Sequence, residues 1–215
     1  MLTFANGTQE ENRYLKNKTR VVYFALHGRC EMIRAMLHYS DIDFLNEEIS
    51  PPPSEEWPNM KKSGRMVFNS LPEITYEGVV MNQSKAAARA IAIKLGYYRE
   101  SPEECYAIDS IMEFNQENND QIFAYAFSDR SEQGNLDWVN AWKKLCDILE
   151  ARLEEHKRPY IAGTNGITLA DFSLIGTFFG QIYNEKSIWK GELSTAVTNL
   201  VLERPFLRVY VTETL

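Results

Sequence analysis

Tyr23 stands near the end of a short apolar run and carries a phenol, which either donates a hydrogen bond to an anion or bonds to backbone inside a sheet. Gln83-Ser84 precedes an alanine-rich stretch. Unpaired N–H groups and the dipole make the start of such a helix a carboxylate site, and a serine there is equally an ordinary cap. Trp57 and Lys61 are four residues apart and share one helical face beside Pro58. Pro72 follows Leu71 at the start of a strand, acceptable at an edge. Asp109 and Glu113 are also four apart, on a face that reads as either solvated or functional. Cys30, Cys105 and Cys146 form no Cys-x-x-Cys pair, and the three histidines are scattered, so neither a redox pair nor a metal site is expected.

The elements that must position these residues are legible from period and punctuation. Arg20–Leu26 is short, β-branched and aromatic, which predicts a buried strand broken by His27-Gly28. From Arg29 to Ser40, Ile33, Met36 and Leu37 fall on one helical face. Asp43–Ile49 is expected as a second strand, and Pro51-Pro52-Pro53 as extended backbone. Ser54 is placed to cap a short helix through Trp57, with Glu55 and Glu56 in its first turn. Leu71–Tyr76 and Val79–Met81 predict a hairpin turning at Glu77-Gly78. Ser84 opens a helix to Leu95 that Gly96 ends. This half reads β-α-β-α-β-β-α.

Beyond Tyr97 the pattern turns helical. Ile108, Ile111 and Met112, then Val139, Trp142, Leu145, Cys146, Leu149 and Leu153, keep helical spacing. Thr168 and Asp171 fit a capping box, with Ile167 and Phe172 as its hydrophobic staple. The expected organisation is therefore a polar leader over 1–18, an α/β domain over 19–97, and an all-α domain over 103–215, with the linker at 97–103.

Composition bounds the function class. At 44% hydrophobic and 12% aromatic residues, the chain is too apolar to be disordered. Its net charge of −7 argues against nucleic acid or an anionic membrane surface as partner. No apolar run approaches the roughly 20 residues of a membrane helix. The first twenty residues lack the apolar block of a signal peptide, so a reduced, cytoplasmic protein is expected.

Three segments together resemble the cytosolic glutathione transferases. They are Tyr23-Phe24 followed by Gly28-Arg29-Cys30-Glu31-Met32-Ile33-Arg34; Leu71-Pro72-Glu73-Ile74 with Glu77-Gly78; and Asn82-Gln83-Ser84. The pattern is most similar to the sigma class, which includes glutathione-dependent prostaglandin D synthases and lens S-crystallins. The resemblance covers about residues 19–215 and implies a thioredoxin-like domain followed by a helical one. It also implies that glutathione is the co-substrate and that Tyr23 holds its sulfur as the thiolate. A cis proline at Pro72 would let the Leu71 backbone pair with the tripeptide as an added strand. Gln83 and Ser84 would meet the γ-glutamyl carboxylate, Trp57 and Lys61 the glycyl carboxylate, and Arg29 would steer the field at the tyrosine. Asp109 and Glu113 occupy the stretch from which many family dimers send an acid across to glutathione's ammonium. The second substrate would be a small hydrophobic electrophile, and the assembly a homodimer. Relatives with a catalytic cysteine carry it where Tyr23 stands, so Cys30 is expected to be an inert buried thiol.

The sequence departs from the pattern at Asn69 and Ser70 and in a connection from Lys61 to Pro72 that is one residue longer. Those departures keep two other readings open: a non-catalytic, S-crystallin-like relative, and a glutathione-dependent isomerase or peroxidase.

Overall fold

The computed structural model describes residues 18–51, 53–64, 68–126, 131–181 and 192–215, which fall into two compact units, one ending at Ile91 and the other beginning at Ala92. Most of the expected leader lies outside the described residues.

In the first unit, strand β1 (Arg20–Phe24) is followed by a 3-10 turn (Gly28–Cys30) and helix α1 (Glu31–Tyr39). Strand β2 (Leu45–Ile49), helix α2 (Glu56–Lys62), the hairpin of β3 (Glu73–Tyr76) and β4 (Val79–Asn82), and helix α3 (Ser84–Leu95) complete it. The sheet order is β2-β1-β3-β4, with β1 parallel to β2 and antiparallel to β3, and β3 antiparallel to β4. This is the expected thioredoxin-like β-α-β-α-β-β-α arrangement, and the second unit is helical.

Local chemistry explains most of it. Ile33, Met36 and Leu37 are all fully buried, so the three-four spacing does mark the inner face of α1. The hairpin turns at Glu77 and Gly78, both at positive φ (48° and 79°), which the mirror-image turns of hairpins require. Helix α3 ends in a paired C-terminal motif: Tyr97 N–H donates to Ala92 O at 2.8 Å, Gly96 N–H to Ile93 O at 3.4 Å, and Gly96 takes φ 80°. Several boundaries differ from expectation: β1 ends at Phe24 rather than Leu26, and β3 begins at Glu73 rather than Leu71. The segment after β1 enters α1 through the 3-10 turn at Gly28 (φ 48°), a conformation that a helical continuation from Arg29 does not anticipate. Strand β2 begins at Leu45 rather than Asp43, where pairing with Arg20 begins.

In the second unit, helix α4 (Pro102–Ala126), helix α5 (Glu132–His156), helix α6 (Leu169–Gln181), helix α7 (Glu192–Leu202) and the short helix α8 (Pro205–Val209) follow in order, with a π-helical turn over Tyr210–Thr214. The buried stripe of α5 runs through Trp138, Trp142, Leu145, Cys146, Leu149 and Leu153. Trp138 takes the place expected for Val139, since the larger ring packs edge-on against Trp142 at 6.0 Å, itself 5.7 Å from Phe178. Between α4 and α6 runs a polar seam in which the Thr177 hydroxyl donates to Asn115 Oδ1 (2.9 Å) and Asn115 Nδ2 to Ser173 O (3.0 Å).

The box at the start of α6 is closed by Asp171, which is fully buried. Its Oδ2 accepts the Thr168 N–H and hydroxyl (2.8 Å each), and its Oδ1 accepts the Ile161 N–H (3.0 Å) and the Tyr210 hydroxyl (2.8 Å). Burial pushes this carboxyl up, against the pull of those hydrogen bonds. Ile167 and Phe172, the expected staple, are both buried. Among the described residues no helix is long and apolar enough to cross a membrane.

Candidate functional site

Strand β1 is central in the sheet, and alternation puts Val21 and Tyr23 on one face, Val22 and Phe24 on the other. Tyr23 stands one residue from the strand's end, and its side chain is only 7% exposed. The hydroxyl accepts the Arg29 backbone N–H at 3.3 Å, across the 3-10 turn. Gly28 makes that approach possible. A Cβ built there would stand 2.8 Å from both Tyr23 Oη and Leu26 Cδ1, and φ 48° already favours glycine.

Burial raises the phenol's pKa above 10, partly opposed by the Arg29 N–H. Its proton is therefore held at any ordinary pH. Because the oxygen accepts from Arg29, its own O–H is left to donate elsewhere. A buried, protonated phenol with a backbone N–H behind it is a donor for an anion.

Arg34 received no role from sequence alone, although it closes the first quoted segment. It is 8% exposed, and its guanidinium lies 5.8 Å from the Tyr23 ring centroid. Its Nε donates to Asn46 Oδ1 (3.0 Å), and its Nη1 donates to Leu26 O (3.1 Å) and Glu31 Oε2 (3.2 Å). His27 Nδ1 is 2.9 Å from the same Glu31 oxygen. Burial pushes Glu31 up, but the hydrogen bonds and charges of His27 and Arg34 outweigh it and leave the carboxyl below its ordinary value. The positive spacing cue was present in Glu31 and Arg34, three apart; what it lacked was Asn46, contributed by the neighbouring strand.

Cys30 is fully buried and burial pushes its thiol up to about 12, so it stays a neutral, unreactive thiol. Arg29 presents its backbone to Tyr23, and its side chain is exposed.

Trp57 and Lys61 do meet, with the ammonium 5.4 Å from the indole centroid. Trp57 packs edge-on against Phe24 at 5.7 Å, and Phe24 lies 5.7 Å from Tyr23, so three aromatic rings tie α2 to the end of β1. Ser54 contributes to the start of α2 by accepting the Glu56 N–H at 3.2 Å, one residue outside the cap position at Glu55.

The Leu71–Pro72 bond is cis, and Pro72 is buried, its carbonyl accepting Asn82 Nδ2 at 3.3 Å. Asn69, one of the departures, takes φ 46°, and residues 65–67 of the lengthened connection lie outside the described residues. Gln83 takes φ 65° immediately before α3, a strained conformation for a side chain of this size. Ser84 is 8% exposed, and no acidic side chain occupies the first turn of α3 to offset its positive end. Asp109 and Glu113 lie on α4 in the second unit, where Asp109 Oδ2 accepts the Tyr98 hydroxyl at 2.7 Å. Among the described residues there is no group of three or more His, Cys, Asp or Glu able to hold a metal.

No protein-family model matches the chain. Among curated proteins it is 25% identical over 161 residues to mouse glutathione S-transferase A4, covering 74% of this chain and 71% of that one. Among solved structures, the glutathione S-transferase Blo t 8 superposes with a TM-score of 0.76 at 18% identity, over 91% of this chain and 86% of that one. Na-GST-3 from the hookworm Necator americanus, described as monomeric, superposes with a TM-score of 0.64 at 23% identity, over 90% of this chain and 96% of that one. The structures carry the fold, and the curated relatives support the glutathione S-transferase family without selecting a class.

Proposed function

We propose that this chain is a glutathione S-transferase that uses the Tyr23 hydroxyl to hold the glutathione sulfur as a thiolate and adds it to small apolar electrophiles. The observation that carries the reading is the state of Tyr23. Its phenol is kept protonated by burial, with its oxygen already accepting from Arg29, at the end of the central strand. The curated relatives' shared activity is what gives that phenol a thiol to act on.

A free thiol with pKa ≈ 8.5 is only a few per cent ionised near pH 7. One charge-assisted hydrogen bond in a shielded site supplies about 1.5–3 kcal/mol, enough to lower that pKa by one to two units. The rest of the tripeptide is assigned by charge. Gln83 and Ser84 at the positive end of α3 take the γ-glutamyl carboxylate, Lys61 with Trp57 takes the glycyl one, and the Leu71 backbone before Pro72 pairs with the peptide as an added strand. Arg29 and Arg34 supply positive potential around the tyrosine. Sigma-class membership, a homodimer in which Asp109 or Glu113 reaches the partner's glutathione, and a cytoplasmic location belong to the same proposal, as do the domain limits 19–97 and 103–215.

One observation favours a second reading. At 7% exposure, Tyr23 is also what a core tyrosine in a non-catalytic relative looks like. Two measurements separate the readings. A transferase retains glutathione, so at 100 times its Kd the ligand adds about 2.7 kcal/mol of stability and raises the melting temperature, and the protein conjugates an activated aryl halide. No melting shift and no conjugation at millimolar glutathione would leave only the non-catalytic relative.

A further inference from the structure

Three side chains from the turn after β1 and the start of α1 form a chain of charge beside Tyr23. His27 Nδ1 stands 2.9 Å from Glu31 Oε2, and Arg34 Nη1 donates to the same oxygen at 3.2 Å. Arg34 in turn holds its guanidinium 5.8 Å from the Tyr23 ring centroid. Burial raises the phenol's pKa, and the Arg34 charge works against it, favouring an anion at that oxygen. One carboxylate oxygen is therefore shared between two cations of unequal constancy. A guanidinium keeps its charge at every working pH, whereas histidine changes charge between about pH 5 and 8.

The members are held in place by different elements. His27 precedes the 3-10 turn whose Arg29 N–H reaches Tyr23, Glu31 opens α1, and Arg34 is anchored by Leu26 O and by Asn46 Oδ1 from β2. Among the described residues, Glu31 is the one carboxylate paired with Arg34, and Arg34 Nη2 is buried without a hydrogen-bond partner. The His27 and Glu31 side chains are 29% and 19% exposed, so water and salt screen the pair incompletely. The other titratable groups around them each hold one state. Burial keeps the Tyr23 phenol protonated and pushes the Cys30 thiol up to about 12. Glu31, pushed up by burial, is held below its ordinary value by His27 and Arg34. The Arg29 guanidinium is always charged. On β2, Glu48 accepts Asn46 Nδ2 at 3.2 Å, and a carboxylate is ionised throughout the neutral range.

We propose that His27 is a positioning residue for thiolate formation: its imidazolium form holds the Glu31 carboxylate and leaves more of the Arg34 charge to act at Tyr23. When the imidazole is neutral, Glu31 compensates Arg34 alone and the field at the phenol weakens. Support for the thiolate is then strongest in acid, where the glutathione thiol is hardest to ionise. The inference rests on the glutathione reading and deepens it.

The test is the pH profile of kcat/KM for an activated aryl halide, measured on the full chain with Tyr23→Phe alongside. His27→Gln, neutral at every pH, should lose about threefold at about pH 5.5, corresponding to a thiol pKa about 0.5 higher, and nothing at about pH 9. His27→Arg, always charged, should restore the wild-type value at the acid end. In a Glu31→Gln background, His27→Gln should change nothing further, because the imidazole acts through that carboxylate. A purely structural role would instead lower activity by one factor at all pH values. A pH-independent loss, an unrestored His27→Arg variant, or a remaining His27→Gln effect without Glu31 would each overturn the proposal. A full Tyr23→Phe loss beside a His27→Gln profile that follows wild type would overturn it alone. A Tyr23→Phe variant as active as wild type would overturn the glutathione reading as well.

Discussion

Replacing Tyr23 by Phe removes one oxygen and leaves the ring beside Phe24 and under the Arg34 guanidinium. The fold loses little. The oxygen accepts a single N–H, from Arg29 at 3.3 Å, so the cost is about 1 kcal/mol. The thiol loses much more. If the phenol's hydrogen bond lowers the glutathione pKa from about 8.5 to about 6.5, the anion is favoured by about 2.7 kcal/mol. At pH 6.5 the thiolate fraction then falls from about one half to about 1% on substitution, a loss of about fifty-fold. At pH 9 it falls from near unity to about three quarters, a loss of about 1.3-fold. The ratio of wild-type to variant activity must therefore collapse as pH rises. At the alkaline end, the donor is the protonated phenol, and burial raises its pKa above the ordinary phenol value, so wild-type activity should show no falling limb across the assayed range. The assay is kcat/KM for an activated aryl halide from pH 5.5 to 9.5 (about four units spanning both thiol pKa values), with the ultraviolet absorbance of bound thiolate as a direct readout. A loss below about tenfold at pH 6.5, or a ratio that does not change with pH, would refute the reasoning, because a thiol pKa lowered by about two units cannot produce either.

Three further outcomes are expected. Gly28→Ala should destabilise the protein by about 1–2 kcal/mol in urea denaturation, because a side chain is strained at φ 48°, and should move the acid limb of activity toward alkaline pH by displacing the Tyr23 oxygen 2.8 Å away. Gln83→Gly should leave the melting temperature unchanged or raised, since it relieves the left-handed backbone at φ 65°, while raising KM for glutathione with little change in kcat; a lowered melting temperature would count against stored strain. Asp171→Ala should cost about 3–5 kcal/mol, as the Ile161 N–H, Thr168 N–H and Tyr210 hydroxyl lose their buried acceptor. Burial holds the Asp171 carboxyl above its ordinary value, so its contribution to stability is full below the unfolded pKa of about 4 and falls as pH rises through the folded pKa; Asp171→Asn should flatten that part of the stability–pH curve.

How much of the site was legible follows from the range of the forces involved. The Trp57–Lys61 pairing, the helix start at Ser84 and the box at Thr168–Asp171 each close within four residues, and the structure forms all three. Arg34 shows the opposite case. Its pairing with Glu31 is local, but the bond to Asn46 that completes its setting comes from a strand twelve residues on. The lengthened loop before Pro72 gave a departure to notice without a shape to assign, and the left-handed backbone at Gln83 has no signature in a residue type that seldom adopts it.

What the amino-acid order determined by itself is therefore the succession of elements, because period, caps and turn residues act through neighbours: the buried face Ile33–Met36–Leu37, the turn at Glu77-Gly78 and the stop at Gly96 are all of this kind. Tertiary structure alone decided which groups left those elements to meet. Tyr23 gains its acceptor role only when Gly28 lets the turn fold back onto it, and Tyr210 finds Asp171 across 39 residues. Burial and long-range contact change a side chain's chemistry by removing water and adding partners, and neither is encoded in its near neighbours.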